Sequence, residues 1–443
     1  MLGHLTAVLL GRPHGEIASL KAIQNSRVCM ARVVIIQSHL KHYRLPFFKL
    51  LHARLLHEGI ELHVVYGKTN AEHLARKDNA EVTNNWANKV RTMWLGERFV
   101  YHAAWREIGA ADLVIVGNEN KYLLNWPLLA LSAMKLKRVA FWGKGSNVLP
   151  DGKGLAERLR FRTCNSVDWW FAYTDQAALH LRNCGVTCGV SSVRNATDTS
   201  EIRGHIREFS VEDERMGRAE MELDGCAVGI FCGNLSPNKH LDFLIGAARI
   251  VHAAIPGFKL AIVGAGPQQS WMEDVADREQ WIRYLGPLFG VRKSLALACA
   301  DIFMLPGSVG LAILDGFAAG LPMLTTERYT HGPELNYMVP GVNGLITKPD
   351  MRQYADAVIG LLRDQRALHT MRAAANASAE DYSIENMVER FAQGIIACLN
   401  RRPSSCRRDS RHSVAVRKVC DDSIQCRRAQ ESVPSGDSGG RLR

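Results

Sequence analysis

With 443 residues, 47% hydrophobic and 22% charged, the chain is long enough for two or three domains and has an ordinary globular composition. No run approaches eighteen consecutive apolar residues, which argues against a membrane-spanning helix, and the same composition excludes collagen-like, coiled-coil and wholly disordered chains. The formal charge is +11, but residues 401–443 hold eleven basic and five acidic side chains, so the preceding 400 residues carry only about +5.

Eleven cysteines are too dilute for a disulfide scaffold, and the closest spacing, Cys184 to Cys188, is not a CxxC pair. Cys29, Cys226, Cys232 and Cys299 sit in or beside apolar runs and read as small core residues of a protein from a reducing compartment. The glycosylation sequons at Asn195 and Asn376 read as chance matches, because Leu5–Leu10 is too short and poorly flanked for a secretory leader. Residues 1–30 read as a leader or non-native start, with the working protein beginning near Met30. Residues 400–443, rich in Arg and Ser, read as a disordered basic tail that cannot bury enough apolar area to offset chain ordering.

Between these ends, β-branched runs alternate with amphipathic segments. Arg32–Gln37 predicts a strand, 46–57 a helix, and Glu61–Tyr66, Asp112–Val116, Arg138–Trp142 and Trp169–Tyr173 further strands. Asp175–Cys184 predicts a helix capped by Asp175. After the charged stretch Glu201–Glu222 the pattern restarts. Cys226–Cys232, Lys259–Val263, Trp281–Leu285, Ala300–Leu305 and Leu321–Thr325 predict strands, and 241–251 and 311–319 helices. This is an α/β chain with two doubly wound Rossmann-like domains, 31–200 and 201–383, facing a central cleft at the carboxyl ends of their strands. Met387, Phe391 and Ile395 recur at helical spacing in a last helix, 384–399, which by itself reads as a closing helix on the second domain.

Several strand ends carry residues suited to an anion. Pro306–Leu311 (PGSVGL) joins a strand to a helix, so its N–H groups form either an anion site or a structural turn. Asp315, one turn further on, needs a partner or a hydroxyl to bind. Gly264 and Gly266 make a tight turn that is structural or approaches a phosphate; with Pro267 following, they are not the dinucleotide fingerprint. Lys239 lies six residues beyond Gly233 and could neutralise a diphosphate. His331 and Glu334, and in the first half Arg44 and Lys144, follow other strands. No HExxH or DxD cluster suggests a metal.

Gly233–Lys239 (GNLSPNK), Ile262–Pro267 (IVGAGP), Tyr284-Leu285-Gly286, Ala300–Pro306 (ADIFMLP), Gly310-Leu311, Gly320-Leu-Pro322 and His331–Leu335 (HGPEL) followed by Gly341–Leu345 (GVNGL) occur in this order. The chain resembles family 4 glycosyltransferases over about residues 31–398, most strongly over 226–347. Tyr43–Phe48 and Val193–Asp198 are similar to the branch that assembles polysaccharides and glycoconjugates.

The resemblance implies a GT-B architecture and retaining, metal-independent transfer of a sugar from a nucleotide-sugar donor, UDP- or GDP-linked. The acceptor would be a saccharide or lipid-linked saccharide. It also implies that the final helix crosses back to the first domain. The donor-binding residues would be Asn234, Gly264, Gly266, Leu285, Val309, Gly310, Leu311, Asp315 and Glu334, with Lys239, Lys144 and Arg44 in catalytic positions. The nucleotide-sugar is a substrate, and no cofactor is expected. A cytoplasmic location, with peripheral contact to the cytoplasmic face of a membrane and no nucleic-acid partner, completes the expectation. Two positions depart from the family pattern: the usual Arg of the Arg-x4-Lys pair falls on Asn234, and the usual Glu-x7-Glu pair on Gly307 and Asp315. These losses leave a catalytically impaired nucleotide-sugar-binding scaffold as the alternative.

Overall fold

The computed structural model describes residues 30–68, 80–82, 84–96, 98–145, 163–225, 227–327 and 331–401. The expectations for the leader and the basic tail, and for Cys29 and Cys226, lie outside the described residues.

Strands β1 (Ala31–Gln37), β2 (Ile60–Tyr66) and β3 (Ala87–Lys89) open the chain, followed by a hairpin of β4 (Thr92–Leu95) and β5 (Phe99–His102). Then come β6 (Leu113–Gly117), β7 (Arg138–Gly143), β8 (Trp169–Ala172) and β9 (Gly189–Ser192). The second half contributes β10 (Ala227–Cys232), β11 (Phe258–Val263), β12 (Ile282–Gly286), β13 (Ile302–Met304), β14 (Met323–Thr326) and β15 (Gly344–Thr347). The first sheet has seven strands in the order β3-β2-β1-β6-β7-β8-β9, and the second has six in the order β12-β11-β10-β13-β14-β15. All pairings within these two sheets are parallel. Helices flank both sheets, so their central strands are buried on both faces and read as continuous apolar runs such as Val33–Ile36. In each sheet the winding reverses once, at β1/β6 and at β10/β13, which opens a crevice at the carboxyl ends of those strands.

Several elements differ from the sequence reading. The short strands β3, β9 and β15 lack the long apolar runs that mark their neighbours. The charged stretch Glu201–Glu222 is two helices, Ser200–Glu208 and Val211–Glu220, the second started by a reciprocal Ser210–Asp213 capping box. Thr174, not Asp175, caps the helix Asp175–Asn183, by accepting the Ala177 N–H at 3.1 Å. Asp175 faces Arg194 instead, at 3.0 Å. The sequon residue Asn195 is only 1% exposed, so that match is indeed not a surface acceptor.

The last helix, Ile384–Asn400, lies against the first sheet. Phe391 stacks on Phe171 with ring centroids 4.3 Å apart, meets Trp142 edge-on at 5.1 Å and touches Phe47 at 5.3 Å. Gly394 keeps this packing close: a Cβ there would stand 2.6 Å from the Phe171 ring and 2.8 Å from Ser191 Oγ. Phe391→Ala is expected to cost about 3–5 kcal/mol of stability, because the surrounding rings cannot collapse into the space; urea denaturation measures it.

Candidate functional site

At the β10/β13 crevice, the loop after β10 turns through the short 3-10 segment Pro237–Lys239 and enters the helix Leu241–Ala254 at His240, whose φ of 52° is left-handed. The loop after β13 runs beside it. Ser308 N–H donates to the Asn238 carbonyl at 2.8 Å, and the Lys239 ammonium donates to the Ser308 carbonyl. The two backbones are so close at Gly307 that a Cβ would lie 2.4 Å from the Lys239 carbonyl oxygen and 2.6 Å from that of Asn238. The carboxylate that the resemblance places at this position is therefore absent for a backbone reason. Lys239 is partly buried, and desolvation holds its pKa below the ordinary lysine value.

Val309 N–H donates to His331 Nδ1 at 3.1 Å, while His331 Nε2 lies 2.6 Å from the Thr326 carbonyl. These bonds fix the imidazole as the Nε2–H tautomer and staple the loop to the end of β14. The N–H of Val309 is thereby committed. Among the described residues no backbone hydrogen bond engages the N–H of Gly310 or Leu311, and Gly310 borders open space. Asp315 follows on the helix Ala312–Ala318, one residue shorter at each end than its sequence pattern suggests. Its carboxylate pairs with Lys293 at 2.7 Å, and both side chains are largely buried. Burial and the nearby Asp315 charge push the Cys232 thiol up to about 12, so this wall of the site is a neutral thiol beside one ion pair.

Gly264 and Gly266 are explained by contact with the neighbouring loop. A Cβ at Gly264, whose φ is 139°, would stand 1.9 Å from the Gly233 carbonyl oxygen, and one at Gly266 would stand 2.5 Å from that of Leu235. Leu235 N–H donates to Ala265 O and Gln268 N–H to Leu235 O, each at 2.9 Å, and Tyr284 OH holds the Gly264 carbonyl at 2.9 Å. Asn234 is exposed on this loop, and Leu285 is partly buried on the edge strand β12.

The other candidates lie where the two halves meet. Arg44 is 6% exposed, with its guanidinium 5.0 Å from the centre of the Trp142 ring and 5.2 Å from that of Tyr43. It donates to Asn195 Oδ1 at 2.6 Å; Asn195 Nδ2 in turn donates to Glu334 Oε1 at 2.8 Å. Tyr337 OH donates to the Asn195 carbonyl at 2.9 Å. Arg44 and Glu334 thus belong to one buried chain that joins the halves. Lys144 is exposed and lines a cleft of about 390 Å³ together with Thr174, Gln176, His180, His331 and Asn336.

Lys239, Val309, Gly310, Leu311 and Asp315 are brought to the β10/β13 crevice; Arg44, Glu334 and Lys144 lie on the seam and cleft beyond it. Sequence reasoning missed Lys293 and Asn195. Lys293 looks like any solvated lysine on an amphipathic helix, and Asn195 looked like a sequon. Among the described residues, no group of three or more His, Cys, Asp or Glu side chains is placed to hold a metal ion.

Residues 227–364 match the family described as Glycosyl transferases group 1. That stretch of the second half is similar to glycosyltransferase group 1 domains. Among curated relatives, a GDP-mannose-dependent monoacylated alpha-(1-6)-phosphatidylinositol monomannoside mannosyltransferase of Corynebacterium glutamicum is 30% identical over 193 residues, 41% of this chain and 50% of that protein. Glycogen synthase of Mycobacterium tuberculosis is 27% identical over 216 residues, 47% of this chain and 48% of that protein. The chain spans half or less of the length of the relatives it matches. Among solved structures, Anabaena Alr3699/HepE in complex with UDP superposes with a TM-score of 0.60 at 15% identity, covering 83% of this chain and all of that one. Sucrose-phosphate synthase from Thermosynechococcus elongatus gives 0.57 at 14% identity, covering 83% of this chain and 98% of that one. These likenesses show the fold: two parallel sheets flanked by helices in a GT-B arrangement.

Restoring an acidic side chain with Gly307→Glu is expected to force the two loops apart. It should cost about 1–3 kcal/mol or more of stability and weaken donor binding, read by chemical denaturation and nucleotide-sugar titration.

Proposed function

We propose that this chain is a retaining, metal-independent glycosyltransferase that moves a sugar from a UDP- or GDP-linked donor to a saccharide or lipid-linked saccharide acceptor. The observation that carries the reading is the β10/β13 crevice, where the Lys239 ammonium stands on the Ser308 carbonyl beside the open N–H groups of Gly310 and Leu311. The group 1 match over 227–364 supports the transferase class, and the Corynebacterium relative, a GDP-mannose-dependent enzyme, supports a nucleotide-sugar donor. Structures similar in fold, Anabaena HepE and the pneumococcal O-GlcNAc transferase GtfA, were obtained with UDP.

In this mechanism the donor diphosphate lies against the N–H groups of Gly310 and Leu311, and Lys239 exchanges its carbonyl partner for a phosphate oxygen. A neutral acceptor is traded for an anionic one. As the anomeric carbon–oxygen bond breaks, negative charge grows on the leaving diphosphate, and fixed donors stabilise that change more than the ground state. The acceptor attacks from the face the diphosphate leaves, and a phosphate oxygen takes its proton. Asp315, held by Lys293, faces the ribose hydroxyls. Lys144 and the Arg44–Asn195–Glu334 chain contribute from the seam: Lys144 as a cation at the cleft, the buried chain as the support that sets the distance between the halves. Peripheral contact with the cytoplasmic face of a membrane, without a nucleic-acid partner, accompanies a lipid-linked acceptor.

Thermal-shift titration of the full chain with UDP-, GDP-, ADP- and dTDP-sugars tests the reading. One nucleotide should stabilise the protein with or without EDTA, and Lys239→Ala should lower transfer by about 100-fold at an unchanged unfolding temperature. A folded protein that no nucleotide stabilises overturns the proposal. Binding without turnover would instead identify the catalytically impaired scaffold, the reading that Gly307 and Asn234 favour. The lowered pKa of Lys239 adds a signed expectation. A bound diphosphate restores the charged form, so at alkaline pH donor binding takes up protons and affinity falls as pH rises. Calorimetry in two buffers of different ionisation enthalpy measures it.

A further inference from the structure

The β4–β5 hairpin carries a face that the transfer chemistry leaves unused. Its strands pair Met93 with Tyr101 and Leu95 with Phe99, so strand alternation sends these four side chains to one side. The opposite side is anchored. Thr92 Oγ1 accepts the Lys68 N–H at 3.0 Å, Trp94 Nε1 donates to the Lys68 carbonyl at 3.0 Å, and His102 Nε2 lies 3.3 Å from the Ser38 carbonyl. Val100 between them is fully buried.

The free side is open and apolar: Met93 is 50% exposed, Leu95 54% and Phe99 44%. Trp105, 43% exposed, extends the patch and is fixed to it by donating its indole N–H to Tyr101 OH at 2.8 Å. Large apolar side chains gathered in one place mark a contact surface, whereas single ones do not. Arg91, Arg98 and Arg106 flank them in the chain, are exposed, and among the described residues have no ion-pair partner. Of the described carboxylates nearby, Glu119 pairs with Lys121 and Glu107 accepts from Asn88.

We propose that this hairpin face docks on an anionic phospholipid surface, with Leu95, Phe99 and Trp105 entering the headgroup boundary and the three arginines meeting lipid phosphates. Aromatic and aliphatic tips beside exposed cations suit a layer that is apolar below and negative above. A second copy of the chain would bring like charges together, and a nucleic acid would leave Met93 and Leu95 without a partner. The hairpin stands over the carboxyl ends of β1 and β6, through the His102–Ser38 contact and the pairing of Val100 with Tyr122. Docking there would present a lipid-borne saccharide to the cleft; that purpose rests on the proposed transfer, but the docking itself does not.

Co-sedimentation of the full chain with phosphatidylcholine vesicles, with and without phosphatidylglycerol, tests it. The chain should bind the anionic vesicles, and Leu95→Ser/Phe99→Ser should reduce partitioning about tenfold or more. Arg91→Gln/Arg98→Gln/Arg106→Gln should abolish the preference for anionic lipid. Every variant keeps the basic tail, so its attraction cancels in the comparison. Unfolding temperature checks folding, and Phe99→Ala alone carries the test if the double variant fails to fold. Nucleotide-sugar stabilisation should be the same in all variants, which separates this proposal from the transferase reading. Equal partitioning of unmodified and variant chains, or no binding to anionic vesicles, overturns it. So does a concentration-dependent dimer that the double variant loses, which would assign the face to a second copy.

Discussion

The candidate site depends on one close backbone approach, Gly307 against Asn238 and Lys239. Only a residue without a side chain lets the two loops of the β10/β13 crevice lie this near. That proximity lets Ser308 and Lys239 hold each other, and beyond Val309 the N–H groups of Gly310 and Leu311 make no backbone hydrogen bond among the described residues. The same constraint leaves this rim without a side chain at position 307. Under the proposed transfer, a fixed negative charge there would oppose a bound diphosphate. The glycines at 264 and 266 apply the same device one loop further along the sheet, so three adjacent strand ends are welded into a single rigid rim.

The seam between the halves is held by side chains rather than by backbone approach. There the chain Arg44–Asn195–Glu334 is buried, yet each member comes from a separate segment: the loop after β1, the loop after β9 and the turn after β14. A buried carboxylate and a buried guanidinium joined through one amide are costly unless the geometry is kept. The aromatic cluster around Phe391 supplies the apolar packing that keeps it. Two halves so joined can hold a cleft at a set width, which the proposed transfer without hydrolysis would need.

Much of this was legible before any coordinates. The central strands announced themselves as continuous β-branched runs because both of their faces are covered, and the punctuating Gly and Pro marked where the strands end. Lys239 and the Gly310–Leu311 turn were visible for the same reason: their positions follow from where a strand stops. The short edge strands β3, β9 and β15 carry too little apolar sequence to be seen. Thr174 displaced Asp175 as a cap because either side chain suits that end of a helix and only the backbone turn chooses between them.

Sequence by itself determined the α/β alternation, the two-sheet organisation and the residues at strand ends, because each follows from local periodicity and turn chemistry. Tertiary structure alone decided which of those residues share a site. Lys293 reaches Asp315 across 22 positions, Asn195 reaches Glu334 across 139, and Arg44 reaches Asn195 across 151. Such pairings depend on strand order and loop packing, and no local pattern records them.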